Sequence, residues 1–151
     1  MSGNMVYSIP VMQQVNAFFE KFADALARFD TKTMSLLYNV PCTLLSDDTT
    51  AVFNDPTKLE GFFNRGASLY KQIGVANIRH EIWSKHQWTD KMIIAKVNWR
   101  YSDILNNLLY NCDYQYILKT DKNDQWKIIM SVSINEKERL SEWKNSLLLT
   151  Q

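Results

Sequence analysis

The sequence predicts an α+β fold: a curved antiparallel sheet wrapped on N-terminal helices, with an extra helix at the C-terminus. Three observations carry this. Apolar residues recur every three or four positions over 11–29 and 56–73, the period of a helix with one buried face. From 76 to 134 the period changes to two, that of a strand. Turn residues divide this second half into long strand segments with no room for crossover helices, which makes neighbours antiparallel.

Taken in order, Ser8-Ile9-Pro10 offers a polar cap and an early proline for the first helix. Val11, Val15, Phe18, Phe22, Leu26 and Phe29 form its stripe, widened by Phe19 and Ala25. Asp30 interrupts the stripe and can cap a short second helix, with Met34, Leu37 and Tyr38 on one side. Val40-Pro41 ends that helix, because the residue before proline avoids the α region. CTLLSDD reads as a short strand, Asp47-Asp48-Thr49-Thr50 as a turn, and Ala51-Val52-Phe53 as a strand pairing back. Asp55-Pro56 then opens the third helix, with Asp as N-cap and Pro at the first helical position. Leu59, Phe62, Phe63, Leu69, Tyr70 and Ile73 carry its stripe, Gly66 shares that face, and Gly74 stops it.

In 76–88, Ile78, His80, Ile82, Ser84 and His86 fall on one side, with Asn77, Arg79, Glu81, Trp83 and Lys85 on the other. Thr89-Asp90-Lys91 turns into a strand over 92–103. There Ala95, Val97, Trp99 and Tyr101 share a face, and Asp103 ends the strand as a solvated cap. Asn106-Asn107 turns again. Residues 110–120 place Cys112, Tyr114, Tyr116 and Leu118 on one face, which sends Asp113 to the other. After a turn over 121–124, Trp126, Ile128, Met130, Val132 and Ile134 alternate along the last strand. Asn135-Glu136-Lys137-Glu138 resembles a capping box opening the final helix, with Leu140, Trp143 and Leu147 as its stripe. With no repeat, linker or low-complexity segment, residues 1–151 read as one domain.

Composition excludes several classes. The 17 basic and 16 acidic side chains balance to +1 without a basic run, so the electrostatic footprint of a nucleic-acid binder is missing. MSGNMVYSIP lacks the cationic start and long apolar stretch of a signal peptide. No apolar run approaches the roughly 20 residues of a membrane-spanning helix. Cys42 and Cys112 lack CxxC spacing and read as reduced, packed thiols of a cytosolic protein. The expectation is a cytoplasmic protein with no cofactor, no metal and neither nucleic acid nor membrane as partner.

Several short motifs in a fixed order carry a resemblance. They are Phe18-Phe19, Leu37-Tyr38-Asn39-Val40-Pro41, Leu44-Leu45-Ser46-Asp47, Asp55-Pro56, Val97-Asn98-Trp99-Arg100-Tyr101 with Asp103, and Tyr116-Ile117-Leu118. Over about residues 11–135 the chain resembles the nuclear transport factor 2-like superfamily, the cystatin-like cone fold of polyketide cyclases and ketosteroid isomerases. More narrowly, it resembles an uncharacterised bacterial family within it. The resemblance implies an apolar cavity between a concave sheet and the long helices, and frequent dimerisation through the sheet. It does not settle function, because members include enzymes and non-catalytic modules.

The catalytic patterns that the resemblance suggests are not met. An isomerase of this fold carries a carboxylate shortly after the second helix, where this chain has Val40-Pro41; Asp47 comes too late. The epoxide hydrolases carry Arg-x-Asp on the strand that here reads Trp99-Arg100-Tyr101, and a further Asp where this chain has Met130-Ser131. Arg79 and Glu81 read as an exposed pair. His80 and His86 stand roughly 20 Å apart along a strand and cannot share a metal. Either can be a general base or a partly buried residue bonded to backbone.

What remains is a pocket. Phe18, Phe22, Tyr38, Phe63, Trp99, Tyr101, Tyr114 and Met130 are expected to bound a cavity for a small apolar or aromatic ligand, with Tyr38 and Tyr101 adding hydroxyls at its mouth. A second expectation is a homodimer through the sheet face and the C-terminal helix, suggested by Trp83 and Trp143. A third is weak isomerase- or dehydratase-type acid–base chemistry.

Overall fold

The computed structural model describes residues 10–149, so Ser8 and Ile9 of the expected first cap lie outside the described residues. Helix α1 (Val11–Ala27) follows Pro10 and buries Val15, Phe18, Phe19, Phe22, Ala23, Ala25 and Leu26. It ends before Phe29, which turns to φ 56°. Helix α2 (Thr31–Leu36) is capped by Asp30, whose carboxylate accepts from the Thr33 N–H at 3.1 Å and its hydroxyl at 2.7 Å.

Strand β1 (Tyr38–Leu45) begins sooner than expected and runs through the cis Val40–Pro41 bond. Tyr38 therefore belongs to a strand, not to the short helix. Pro41 has no N–H to donate, and the register with the neighbouring strand shifts between Tyr38 and Thr43. Strand β2 (Thr50–Phe53) pairs back antiparallel, Cys42 opposite Phe53. Helix α3 (Pro56–Ile73) starts where Asp55 accepts from the Thr57 N–H at 2.9 Å and ends at Gly74, φ 88°. That left-handed conformation is open to glycine at no steric cost.

Strands β3 (Asn77–Thr89), β4 (Met92–Ser102), β5 (Leu108–Thr120) and β6 (Trp126–Ser133) form the meander, and helix α4 (Glu136–Leu149) closes the chain. The sheet is curved, in the order β2-β1-β6-β5-β4-β3. The meander is antiparallel, as its short turns require, but β1 lies parallel to β6, so the whole sheet is mixed. Turn chemistry constrains only consecutive strands.

Among the register shifts of the meander, one within β3 and one within β6 change which side chains face inward. In β3, Ile82 lies opposite Val97 and Ser84 opposite Lys96, leaving Trp83 as the extra residue. In β6, Ile128 lies opposite Leu118 and Met130 opposite Ile117, leaving Ile129 extra. An inserted residue sends everything after it to the other face. His86 thus leaves the face of His80, and Lys85 turns toward α1, donating to Asn16 Oδ1 at 2.7 Å. Met130 joins the outward row of Ile117, and Ser131 pairs with inward Tyr116 in its place.

The core lies between the concave face and the helices. Phe19 approaches Tyr116 at 5.3 Å between ring centroids, and Phe22 approaches Trp99 at 5.3 Å. Val15, Leu59, Ile93, Val97, Trp99, Leu118 and Ile128 are fully buried. A fully buried side chain of the Val, Leu or Ile kind contributes about 1.5–3 kcal/mol. Cys42 and Cys112 are free and buried, as expected of packed thiols. Among the described residues, no helix is long and apolar enough to cross a membrane.

Candidate functional site

The packing leaves a cavity of about 530 Å³ between the concave sheet and helices α1 and α3, with the start of α4 at its rim. Phe22, Tyr38, Phe63, Trp99, Tyr101 and Tyr114 line it. Phe18 and Met130 do not. Phe18 is one helical turn before Phe22 and packs edge-on to Phe19 at 5.2 Å, in the core beside the cavity. Met130 is turned outward by the bulge at Ile129, and Ser131 and Ser133 line the wall instead. Trp99 donates through Nε1–H to the Tyr116 hydroxyl at 2.8 Å, so both polar tips in that apolar wall are satisfied.

Among the described residues one carboxylate lines this cavity, and the sequence pattern did not reveal it. Glu136, the first residue of α4, points inward and collects three phenols. Tyr70 donates to Oε2 at 2.8 Å, Tyr110 to Oε2 at 2.9 Å, and Tyr114 to Oε1 at 2.5 Å. Tyr101 stands 3.3 Å from the Tyr70 hydroxyl, and the buried Cys112 thiol 3.9 Å from that of Tyr101. Burial, and after it the charge of Glu136, pushes the hydroxyls of Tyr70, Tyr101, Tyr110 and Tyr114 well above their ordinary range. All four are therefore protonated at neutral pH and able to donate.

The stretch read as a capping box is used otherwise. Asn135 Oδ1 accepts from the Asp113 N–H at 2.8 Å, and Asn135 Nδ2 donates to Asp113 Oδ2 at 3.0 Å. Asp113 faces away from the cavity, as expected, yet is buried there, also receiving Asn98 Nδ2 at 2.9 Å. Arg139 Nη1 donates to Asn111 Oδ1 at 3.0 Å. These bonds pin the start of α4 to β5 and hold Glu136 over the cavity. A signal did exist: Tyr70, Tyr101, Tyr110 and Tyr114 each fall on an inward face, and buried phenols need partners.

The remaining candidates stay apart. His80 faces inward, half-buried, 5.9 Å from the Trp99 ring, and burial lowers its pKa. Asp103 caps its turn, accepting from the N–H groups of Leu105 and Asn107 at 3.0 and 2.8 Å. Glu81 pairs with Arg100 at 3.5 Å, not with Arg79, and both partners are exposed, so solvent screens them. Trp143 is partly buried against the core with Leu140, whereas Trp83 is half-exposed with Lys96 Nζ 5.5 Å from its ring centroid. Among the described residues, no three of His, Cys, Asp and Glu are placed to share a metal.

A family model described as NTF2-like protein (DUF6841) matches residues 12–136. This chain belongs to that family. The fold of this NTF2-like protein is similar to an NTF2-like protein of unknown function from Shewanella oneidensis. The TM-score is 0.67 at 13% identity, over 82% of this chain and 98% of that one. It is also similar to a domain of unknown function with a cystatin-like fold from Nostoc punctiforme, with TM-score 0.67, 11% identity and coverage of 89% and 83%. A ketosteroid isomerase-like protein from Erwinia carotovora matches with TM-score 0.60, 13% identity and coverage of 79% and 91%. At such identities the likeness shows the fold alone. No curated protein matches the chain at a significant level.

Proposed function

We propose that this NTF2-like protein binds a small, largely apolar or aromatic molecule inside the cone. The observation that supports this is the hollow itself. The aromatic residues that could have filled it leave about 530 Å³ open, a volume typical of small-molecule pockets. Its walls are apolar with a few polar groups at one end, the pattern that buries a ligand and orients it. A reaction of isomerase or dehydratase type on that molecule would run through Glu136, the one carboxylate lining the cavity among the described residues.

Gly66 offers a direct test. It lines the cavity on α3, and a Cβ there meets nothing within 4 Å. Gly66→Phe has free space at its Cβ and is expected to carry its ring into the hollow. Saturable binding of the neutral dye N-phenylnaphthylamine, followed by fluorescence, is expected in the wild type and lost in this variant. Absence of binding, or binding indifferent to the filling, rejects the reading.

A second reading concerns a partner: a second copy of the chain. Trp83 and Trp88 are 49% and 54% exposed on β3, the edge strand of the sheet. Exposed Trp is enriched at interfaces, and open strand edges invite pairing. The two free buried thiols suit a reducing compartment, and a cytoplasmic location is part of this proposal.

A further inference from the structure

The charge of the cavity narrows what it takes. Glu136 is surrounded by hydroxyls, not by a cation: its hydrogen-bond donors are Tyr70, Tyr110 and Tyr114, and among the described residues no lysine, arginine or histidine forms an ion pair with it. Glu136 is part-buried, and the neutral dipoles around such a carboxylate stabilise it without cancelling its field. The adjacent Lys137 does not serve as its counter-charge. Its ammonium lies 2.6 Å from Asp48, on a side chain that is 82% exposed. The geometry also leaves room for a ligand. Oε2 accepts two hydroxyls and Oε1 one, while a carboxylate has about four acceptor positions.

A second, independent observation lies beside the cavity. The hollow adjoining the cavity shares Ser46, Ser133, Glu136 and Lys137 with it, and is bordered further by Asp47, Asp48, Glu138 and Glu142. With Glu136 counted, five carboxylates stand there against one ammonium. A surface of one dominant sign concentrates ligands of the other sign and repels those of its own. Beyond it the walls are aromatic, and ring faces attract a desolvated cation.

We propose that the ligand of this cavity is an amine: an aromatic or alicyclic body carrying one ammonium group, which pairs with Glu136 while the body lies among Phe22, Phe63 and Trp99. This rests on the reading of the cavity as a small-molecule site and adds the charge of the ligand to it. A bare metal ion fits poorly, since the walls are apolar and no three metal-ligating groups converge among the described residues.

Three compounds with one indole body and different heads provide the test: tryptamine, tryptophol and indole-3-acetate, titrated calorimetrically into the full chain at neutral pH. Tryptamine is expected to bind at least about tenfold more tightly than tryptophol, and indole-3-acetate more weakly than either. Glu136→Gln removes the charge and keeps one acceptor oxygen, enough for the two hydroxyls that meet at Oε2, while its amide N–H can donate to the Tyr114 oxygen; it is expected to bring tryptamine down to the level of tryptophol. Should that variant fail to fold, the wild-type series decides alone. Tryptophol or indole-3-acetate equalling tryptamine overturns the amine assignment and leaves the cavity reading standing. Binding of none of the three at millimolar concentration overturns both.

Discussion

His80 and Glu136 both face the interior, and their surroundings differ in one respect that sets their chemistry. Glu136 is met by three hydroxyl donors. His80 lies against the Trp99 ring, and its pKa falls below the ordinary 6.5 mainly through burial, with Glu20 opposing. The folded chain therefore takes up that proton less readily than the unfolded chain. Between the lowered value and 6.5 the unfolded state holds more protons, so stability rises with pH in that window. The contribution is complete above 6.5 and is lost as pH falls through the lowered value. Thermal unfolding of His80→Gln is expected to weaken less than that of the wild type between about pH 7 and about pH 5. Parallel slopes would mean that His80 is as well solvated folded as unfolded.

At the scale of elements, the ends of α3 are set by local chemistry. Asp55 satisfies an N–H that the helix itself leaves open, and Gly74 closes the other end in the left-handed region. Asp55→Ala is expected to cost about 1 kcal/mol, and Asp55→Ser to restore most of it. A urea titration checks this through the midpoint at unchanged slope. These ends were legible because a cap and its helix lie within a few residues of each other. The inward faces of β4 and β5 were legible for the same reason: Ala95, Val97, Trp99 and Tyr101 alternate without interruption, as do Cys112, Tyr114, Tyr116 and Leu118. The faces of β3 and β6 were legible only as far as their bulges. Nothing in IWSKH marks Trp83 as an inserted residue, and nothing in IIMS marks Ile129. A bulge is a relation between two strands, and the partner strand is not written in the segment.

For the whole molecule, the outer edge of the sheet is the counterpart of the cavity. Light scattering at micromolar concentration is expected to report about twice the chain mass of 17.7 kDa. The double variant Trp83→Lys with Trp88→Lys is expected to return the protein to monomer, since a charge buried across an interface is not readily compensated. A wild-type monomer under those conditions rejects self-association. The amine and cavity readings are independent of this outcome, because the described chain bounds the hollow by itself.

By itself, the sequence determined the α+β class, the order of elements, the capped ends of α3 and six aromatic residues of the cavity wall. Hydrophobic period and cap chemistry act over a few residues, so a short stretch of chain contains all that is needed to read them. Tertiary structure alone decided the parallel docking of β1 on β6, the two reversals of face, and the place of Glu136. That carboxylate meets Tyr70 across 66 positions of chain and Tyr110 across 26. A partner so distant is selected by how the sheet curves and where α4 is pinned, and neither is a property of the residues around position 136.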